Sequence, residues 1–292
     1  MNFNHIDSFH NRIYKLHIPG KGWRALHLMQ TYSDSERSGG TCKVVFPSNG
    51  KFKEETHWSY HVETKVVRLW HDETKMLAQL QPERTPFEWE GFSADNKPAR
   101  FKMHHGEFLS ILVHGLEFRS PGGSVHGAEL GVHQGFMSRV LLDRIPDLQL
   151  HMVDLWGIHP DDSEFVKSGD LRSKHSWKDY NDNLLLARRR VSKYLWNAHI
   201  HITSTHMAAD LFEDESLDFV FIDGDHSFKG CYEDCKDWYA KVRPGGIFSG
   251  HDYNYHPEGM DIQVTQAVDQ FMEEMDLPKA NVGPSCVWWM KK

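Results

Sequence analysis

Absences narrow the field first. No stretch of the chain approaches the 18 or so consecutive apolar residues that a membrane-spanning helix needs, and the N-terminal MNFNHIDSFHNR has no apolar core of the kind a signal peptide carries. Only 4 cysteines are present among 292 residues, scattered at Cys42, Cys231, Cys235 and Cys286, so a disulfide framework is excluded and a reducing, cytoplasmic setting is expected. Cys231 and Cys235 stand alone on a helical pattern and read as packed or surface thiols, not as half a zinc site. Basic excess is missing too. The formal net charge is -8, which argues against generic nucleic-acid or anionic-membrane binding and favours a neutral or cationic partner. HExxH and GxGxxG are both absent, and the 21 histidines are spread along the whole chain, so most read as structural. No internal repeat or low-complexity linker is visible.

What is present fits a globular protein of two domains. Hydrophobic residues make up 39%, charged 25% and aromatic 12%, a balance that folds without staples. Two textures meet near residues 100–107. Before that boundary, from about residue 40, short β-rich runs at Thr41 to Phe46, Thr56 to Tyr60, Lys65 to Trp70 and Lys75 to Leu80 are divided by turn residues, which predicts an antiparallel sheet. Asn49-Gly50 and His71-Asp72-Glu73 are its expected hairpin turns. The aromatics Trp58, Tyr60, Trp70, Phe87, Trp89 and Phe92 suit the core of such a sheet, or a sugar-stacking face.

After the boundary, a helix over Phe108 to Glu117 leads into alternating units. Apolar runs at Val125–Leu130, Leu148–Val153, His199–Thr203, Leu217–Ile222 and Gly246–Ser249 alternate with helical stretches at Phe136–Arg144, Asp179–Leu195, Met207–Phe212, Lys229–Val242 and Val264–Met275. Repeated βα units predict a parallel sheet covered on both faces. Val282 and Val287 to Met290 flank Gly283-Pro284 and suit an antiparallel hairpin closing one edge.

Three constellations carry chemistry. His126 to Gly135, with Glu129-x-Gly131-x-x-x-Gly135, lies between the first strand and its helix, where glycines let backbone approach a ligand. Glu129 stands where a dinucleotide fingerprint wants glycine, so a ligand with a cationic group is favoured over a pyrophosphate. Asp154 ends the second strand roughly 20 residues on, where ribose hydroxyls are gripped in nucleoside-binding sheets. Its alternative role is a helix cap. The third constellation pairs Leu217 to Ser227, containing Ile222-Asp223-Gly224-Asp225-His226-Ser227, with Arg243-Pro244-Gly245-Gly246-Ile247-Phe248-Ser249-Gly250-His251-Asp252-Tyr253. Two neighbouring strands each ending in Asp and His bring groups for proton transfer or for a divalent ion to one sheet edge.

ELGVHQG, the strand-tip Asp154, and above all FIDGDHSF followed by RPGGIFSGHDY resemble class I S-adenosylmethionine-dependent methyltransferases, in the branch with IDGDHSY-type and PGG-GHDY strand tips. The resemblance covers about residues 106–292. It implies a Rossmann-like, seven-stranded α/β sheet, mostly parallel with a reversed last strand, behind a β-rich N-terminal accessory domain at 1–105. It also implies S-adenosylmethionine as cofactor, with Glu129, Gly131, Gln134 and Gly135 at its methionine end, Asp154 at the ribose, Leu155 and Trp156 beside the nucleoside, and Ser204 and Thr205 at the adenosine. Asp223 borders the cofactor as well.

Asp223 and Asp252 match positions where metal-dependent O-methyltransferases of this fold place carboxylate ligands, which implies Mg²⁺. Tyr253 departs from the amide ligand of catechol-type enzymes, and without an ion His251 or His226 is the base, with His251 preferred and Asp223 or Asp252 supporting it. The expected activity is O-methylation of a small molecule or glycan hydroxyl by a protein that forms a homo-oligomer or acts alone. The rival readings are a non-methylating, hydroxylase-associated protein of the same fold, a nucleoside-binding partner subunit and, weakest, a nicotinamide dehydrogenase.

Overall fold

The computed structural model describes residues 12–18, 22–33, 37–44, 56–61, 67–70, 76–82, 88–93, 98–116 and 123–292. The chain divides into two compact units, Met1–Glu107 and Phe108–Lys292.

The first unit is a closed antiparallel barrel of eight strands taken in chain order: β1 (Ile13–Ile18), β2 (Gly22–Ser33), β3 (Arg37–Val44), β4 (Thr56–His61), β5 (Val67–Trp70), β6 (Met76–Pro82), β7 (Glu88–Ser93) and β8 (Pro98–Met103). β8 closes on β1 through Tyr14↔Met103 and Leu16↔Phe101. Closure leaves this sheet without an edge. Tyr14, Leu28, Val67, Leu69, Ala99 and Met103 are buried. The expected hairpin turns at Asn49-Gly50 and His71 to Glu73 lie outside the described residues, as do the side chains of Trp58, Tyr60, Trp70, Phe87, Trp89 and Phe92.

Helix α1 (His105–His114) follows. It starts three residues ahead of the expected Phe108 because the His104 imidazole accepts the Gly106 N–H at 3.1 Å, a cap that satisfies one of the first-turn donors. Glu107 is fully buried and accepts from Arg12 Nη1 at 3.0 Å and from the Ile13 N–H at 3.1 Å. Both partners lie at the start of the barrel.

The second unit is built on β9 (Val125–Leu130), β10 (Leu148–Asp154), β11 (Ala198–Ile202), β12 (Leu217–Ile222), β13 (Val242–Gly250), β14 (Asn281–Val282) and β15 (Trp288–Lys291). Their order in the sheet is β11-β10-β9-β12-β13-β15-β14. All pairs are parallel except those made by β15, which runs antiparallel to both β13 and β14. The helices are α2 (Phe136–Arg144), α3 (Glu164–Lys167), α4 (Trp177–Arg190), α5 (Thr205–Ala209), α6 (Phe228–Tyr239) and α7 (Val264–Glu274). β12 is buried at every position, which is why its sequence is an unbroken apolar run and not an alternating one. Trp238, Phe248, Phe271 and Trp288 form the centre of the core on the α6 and α7 side. Each such side chain contributes about 1.5–3 kcal/mol by leaving water.

The order of the strands reverses between the parallel neighbours β9 and β12, from which the sheet is built outward in opposite senses. Open α/β sheets bind ligands at the carboxyl ends of the strands beside such a point. Among the described residues no helix is long and apolar enough to cross a membrane.

Candidate active site

The turn after β9 is shaped by glycines at positions where no other residue fits. Gly131 has φ +84, and a Cβ there would fall 2.0 Å from the Asp223 carbonyl oxygen. Gly135 has φ +70 and lies against Ala187 of α4. This turn therefore nests into the β12 tip on one side and α4 on the other. His133, Trp156 and Asp252 also hold left-handed backbone, with φ of 52, 39 and 59. Strained non-glycine residues gather where surrounding structure over-determines them, and functional sites are such places.

Asp154, at the β10 tip, turns inward to the backbone. Its Oδ2 accepts the Val132 and His133 N–H groups at 2.9 and 2.8 Å, and Oδ1 accepts the Trp156 N–H at 2.7 Å. Burial raises its pKa against the lowering effect of those three bonds. The carboxylate thus fixes the glycine turn, and the Trp156 indole reinforces it by donating to the His133 carbonyl at 2.7 Å. Glu129, one strand over, is buried and accepts from the Ser138 hydroxyl at 2.5 Å. Burial pushes its pKa up to about 8 despite that bond, with the fields of Asp223 and Asp154 adding to the rise.

The other expected cofactor contacts divide. Leu155 is exposed and Trp156 buried. Gln134 is turned to α4, donating to Asn183 Oδ1 at 3.0 Å while its carbonyl accepts from Arg190 at 2.7 Å. Ser204 caps α5 by accepting the Met207 N–H at 3.2 Å. The Thr205 carbonyl accepts the Trp238 indole N–H at 3.1 Å. Its hydroxyl bonds Asp234, whose pKa burial pushes up to about 7 against that bond, with the charge of Asp225 adding to the rise.

The four residues expected to carry chemistry meet at the tips of β12 and β13. His226 Nε2 lies 3.3 Å from Asp223 Oδ1 and 3.2 Å from Asp252 Oδ2. His251 Nδ1 lies 2.8 Å from Asp252 Oδ1 and 3.8 Å from Asp223 Oδ1. A fifth group, Asp170, went unseen in the sequence. It is fully buried and places Oδ2 2.7 Å from His226 Nδ1. Asp170 sits in the long connection from β10 to α4, where its only local signal is a turn: its Oδ1 caps the next 3₁₀ turn by accepting the Arg172 N–H at 2.8 Å. Arg172 and Tyr255 border the same place, since the charges of Arg172 and Asp252 both act on the Tyr255 phenol.

Electrostatics follow from this crowding. Burial alone would hold His226 neutral, but the bonds to Asp170 and Asp223 and the charge of Asp252 outweigh it and push its pKa up to about 10. Burial would raise the Asp252 pKa. The two imidazoles beside it, His251 first, outweigh that and hold the carboxyl well below the usual carboxylate range. Asp170 is held down against burial by its bond to His226. His133 moves the other way, down to about 4, through burial and the nearby charges of Arg172 and His175.

Asp223, His226 and Asp252 place one ligand atom each within 4.8 Å of one another. Two carboxylates and an imidazole suit a divalent ion, and Asp170 on the far ring nitrogen is the outer carboxylate that metal-bound histidines carry. The donor set fits such an ion.

The sheet is thus Rossmann-like, with a glycine turn after its central strand and Asp/His pairs at the tips of the next two. Residues 128–253 match a family model described as a methyltransferase domain. That stretch runs from β9 to the Tyr253 beside Asp252, and so spans Glu129, Asp154, Asp170, Asp223, His226, His251 and Asp252. No curated protein matches the chain in sequence. Among solved structures, the O-methyltransferase NovP is similar at 17% identity and a TM-score of 0.44, over 64% of this chain and 78% of that one. The O-methyltransferase TomG from Streptomyces achromogenes, described as involved in tomaymycin synthesis, is similar at 15% identity and a TM-score of 0.42, over 63% and 77%. Spermidine synthase from Thermotoga maritima is similar at 11% identity and a TM-score of 0.40, over 95% of this chain and 77% of that one.

Proposed function

We propose that the second unit binds S-adenosylmethionine and directs its methyl group to a hydroxyl of a small molecule or sugar. The observation that supports this most is that Glu129, Asp154, Asp223 and Asp252 stand at the ends of β9, β10, β12 and β13, beside the point where the strand order reverses, within a stretch matching a methyltransferase domain. Bound S-adenosylmethionine supplies an already activated methyl. The protein's task is alignment and removal of one proton.

His251 takes that proton. It does so at Nδ1, the ring nitrogen that faces the cluster, and Asp252 Oδ1 at 2.8 Å stabilises the imidazolium that forms as the acceptor oxygen gains its methyl. S-adenosylhomocysteine is left behind. His226, held as a cation by Asp170, offsets the charges of Asp223 and Asp252. With a divalent ion such as Mg²⁺ in place, Asp223 and Asp252 would hold it and His226 would join as neutral imidazole, its Nδ1–H kept on Asp170. The ion's contribution there would be to lower the pKa of the acceptor hydroxyl.

Calorimetric titration with S-adenosylhomocysteine, first with Mg²⁺ and then with EDTA, tests the reading. Saturable one-site binding is expected in at least one buffer. Absence of binding in both would overturn it.

A further inference from the structure

β11 is an edge strand, and it lacks the devices that usually guard one. Leu195 to Ala209 contains no Lys, Arg, Asp or Glu and no proline, although charged residues make up 25% of the chain. Natural edges are blunted by charge, proline, bulges or a covering element. Here apolar side chains crowd the edge instead. Trp196, just before the strand, is 88% exposed, and Met207, just after it on α5, is 65% exposed. Leu195, Ile202 and Leu211 are exposed as well.

The backbone shows which groups are on offer. Leu150 donates to the Asn197 carbonyl and Thr203 donates to the Asp154 carbonyl, so odd-numbered positions turn their backbone toward β10. Strand geometry alternates, so Ala198, Ile200 and Ile202 direct theirs outward. Their side chains share one face, and His199 and His201 share the other, where the His201 Nε2 and His151 Nδ1 atoms lie 3.0 Å apart.

We propose that β11 pairs antiparallel with β11 of a second copy of this chain, about a two-fold axis at Ile200. A two-fold places Ile200 opposite its own counterpart and Ala198 opposite Ile202, which are the positions with outward backbone groups. His199 then faces His201. Apolar meets apolar and imidazole meets imidazole, whereas a one-residue slip would set Ile200 against a histidine and Ala198 against Thr203 or His201. In the same register Trp196, at the start of one strand, falls diagonally across from Ile202 at the end of the other. The contact is isologous, so the two copies of Trp196 and of Ile202 are covered together. An unrelated strand could satisfy the backbone, but only a second copy supplies a Trp196 at the needed end.

The experiment uses the full chain. Light scattering after size exclusion should give twice the 34.0 kDa of one chain. Trp196→Asp should weaken the dimer by at least roughly 30-fold, the loss expected of a central aromatic anchor. Ile200→Cys, treated with a short bifunctional thiol reagent, should give a covalent dimer that the parent protein, with its own cysteines, does not give. A monomeric parent across micromolar to millimolar concentrations would overturn the proposal. So would a dimer that survives Trp196→Asp while Ile200→Cys stays uncoupled, because the contact would then lie elsewhere.

Discussion

His226 and His251 sit within one hydrogen-bonded cluster yet face opposite tasks. Three carboxylates surround His226, and a cation so held is a poor proton acceptor. His251 has one close carboxylate, Asp252 at 2.8 Å, which orients its ring as a base needs. His251→Ala should therefore lower turnover by about 10²–10⁴-fold while calorimetric affinity for S-adenosylhomocysteine stays within about twofold of the parent. Equal losses in both would assign His251 to binding. Asp154→Ala is expected to act in the other direction. Its three backbone bonds hold the glycine turn, and buried acceptors of this kind are worth about 1–3 kcal/mol, so affinity for S-adenosylhomocysteine should fall by about tenfold or more. Unchanged affinity would confine Asp154 to a structural role away from the ligand.

At the scale of elements, the site depends on how closely the β9 turn approaches the β12 tip. A Cβ at Gly131 cannot share space with the Asp223 carbonyl 2.0 Å away, and the left-handed backbone adds about 1–3 kcal/mol of strain for any other residue. Gly131→Ala should lower the melting temperature by several degrees in thermal scanning, and should also displace Asp223, abolishing the stabilisation expected of added S-adenosylhomocysteine on the parent under the proposed function. That stabilisation amounts to about 2.7 kcal/mol at a hundred times the dissociation constant. A variant that melts lower yet keeps its full ligand-induced shift would separate the turn from the binding site.

For the whole molecule, two partly buried imidazoles kept neutral contribute to the loss of stability in acid. His151 lies beside His199 and His201 and against Phe212. Burial, helped by the neighbouring histidines, takes its pKa down to about 3, and burial takes that of His133 down to about 4. Both are depressed below the unfolded value near 6.5, so between those limits the unfolded chain binds more protons and stability falls as pH drops from about 6.5 toward 3. The slope is about 1.4 kcal/mol per pH unit for each proton. His151→Phe should flatten the acid limb of a denaturant-unfolding series across that window. An unchanged slope would show that His151 titrates as it does in the unfolded chain.

Much of this arrangement was legible beforehand, and the reason is local. Leu217–Ile222 and Phe136–Arg144 fall on the structured elements to the residue, because a buried parallel strand must be apolar throughout and an amphipathic helix must repeat near 3.6. Asp223, His226, His251 and Asp252 were readable because each follows directly on such a strand. Asp170 was not, since it lies in a connection with weak periodicity and acquires its partner only when residues 56 positions apart meet. β1 and β2 escaped for a related reason: Gly22–Ser33 gains its place from pairing with neighbours on both sides.

The sequence by itself determined the alternation of strand and helix, the glycine turn and the acid and imidazole types at the strand tips, because these depend on neighbours in the chain. Only the tertiary structure decided that the eight N-terminal strands close into a barrel, that Asp154 faces backbone, and that Asp170 meets the far ring nitrogen of His226. Closure, desolvation and charge coupling all act through space, between residues whose separation along the chain carries no trace of their meeting.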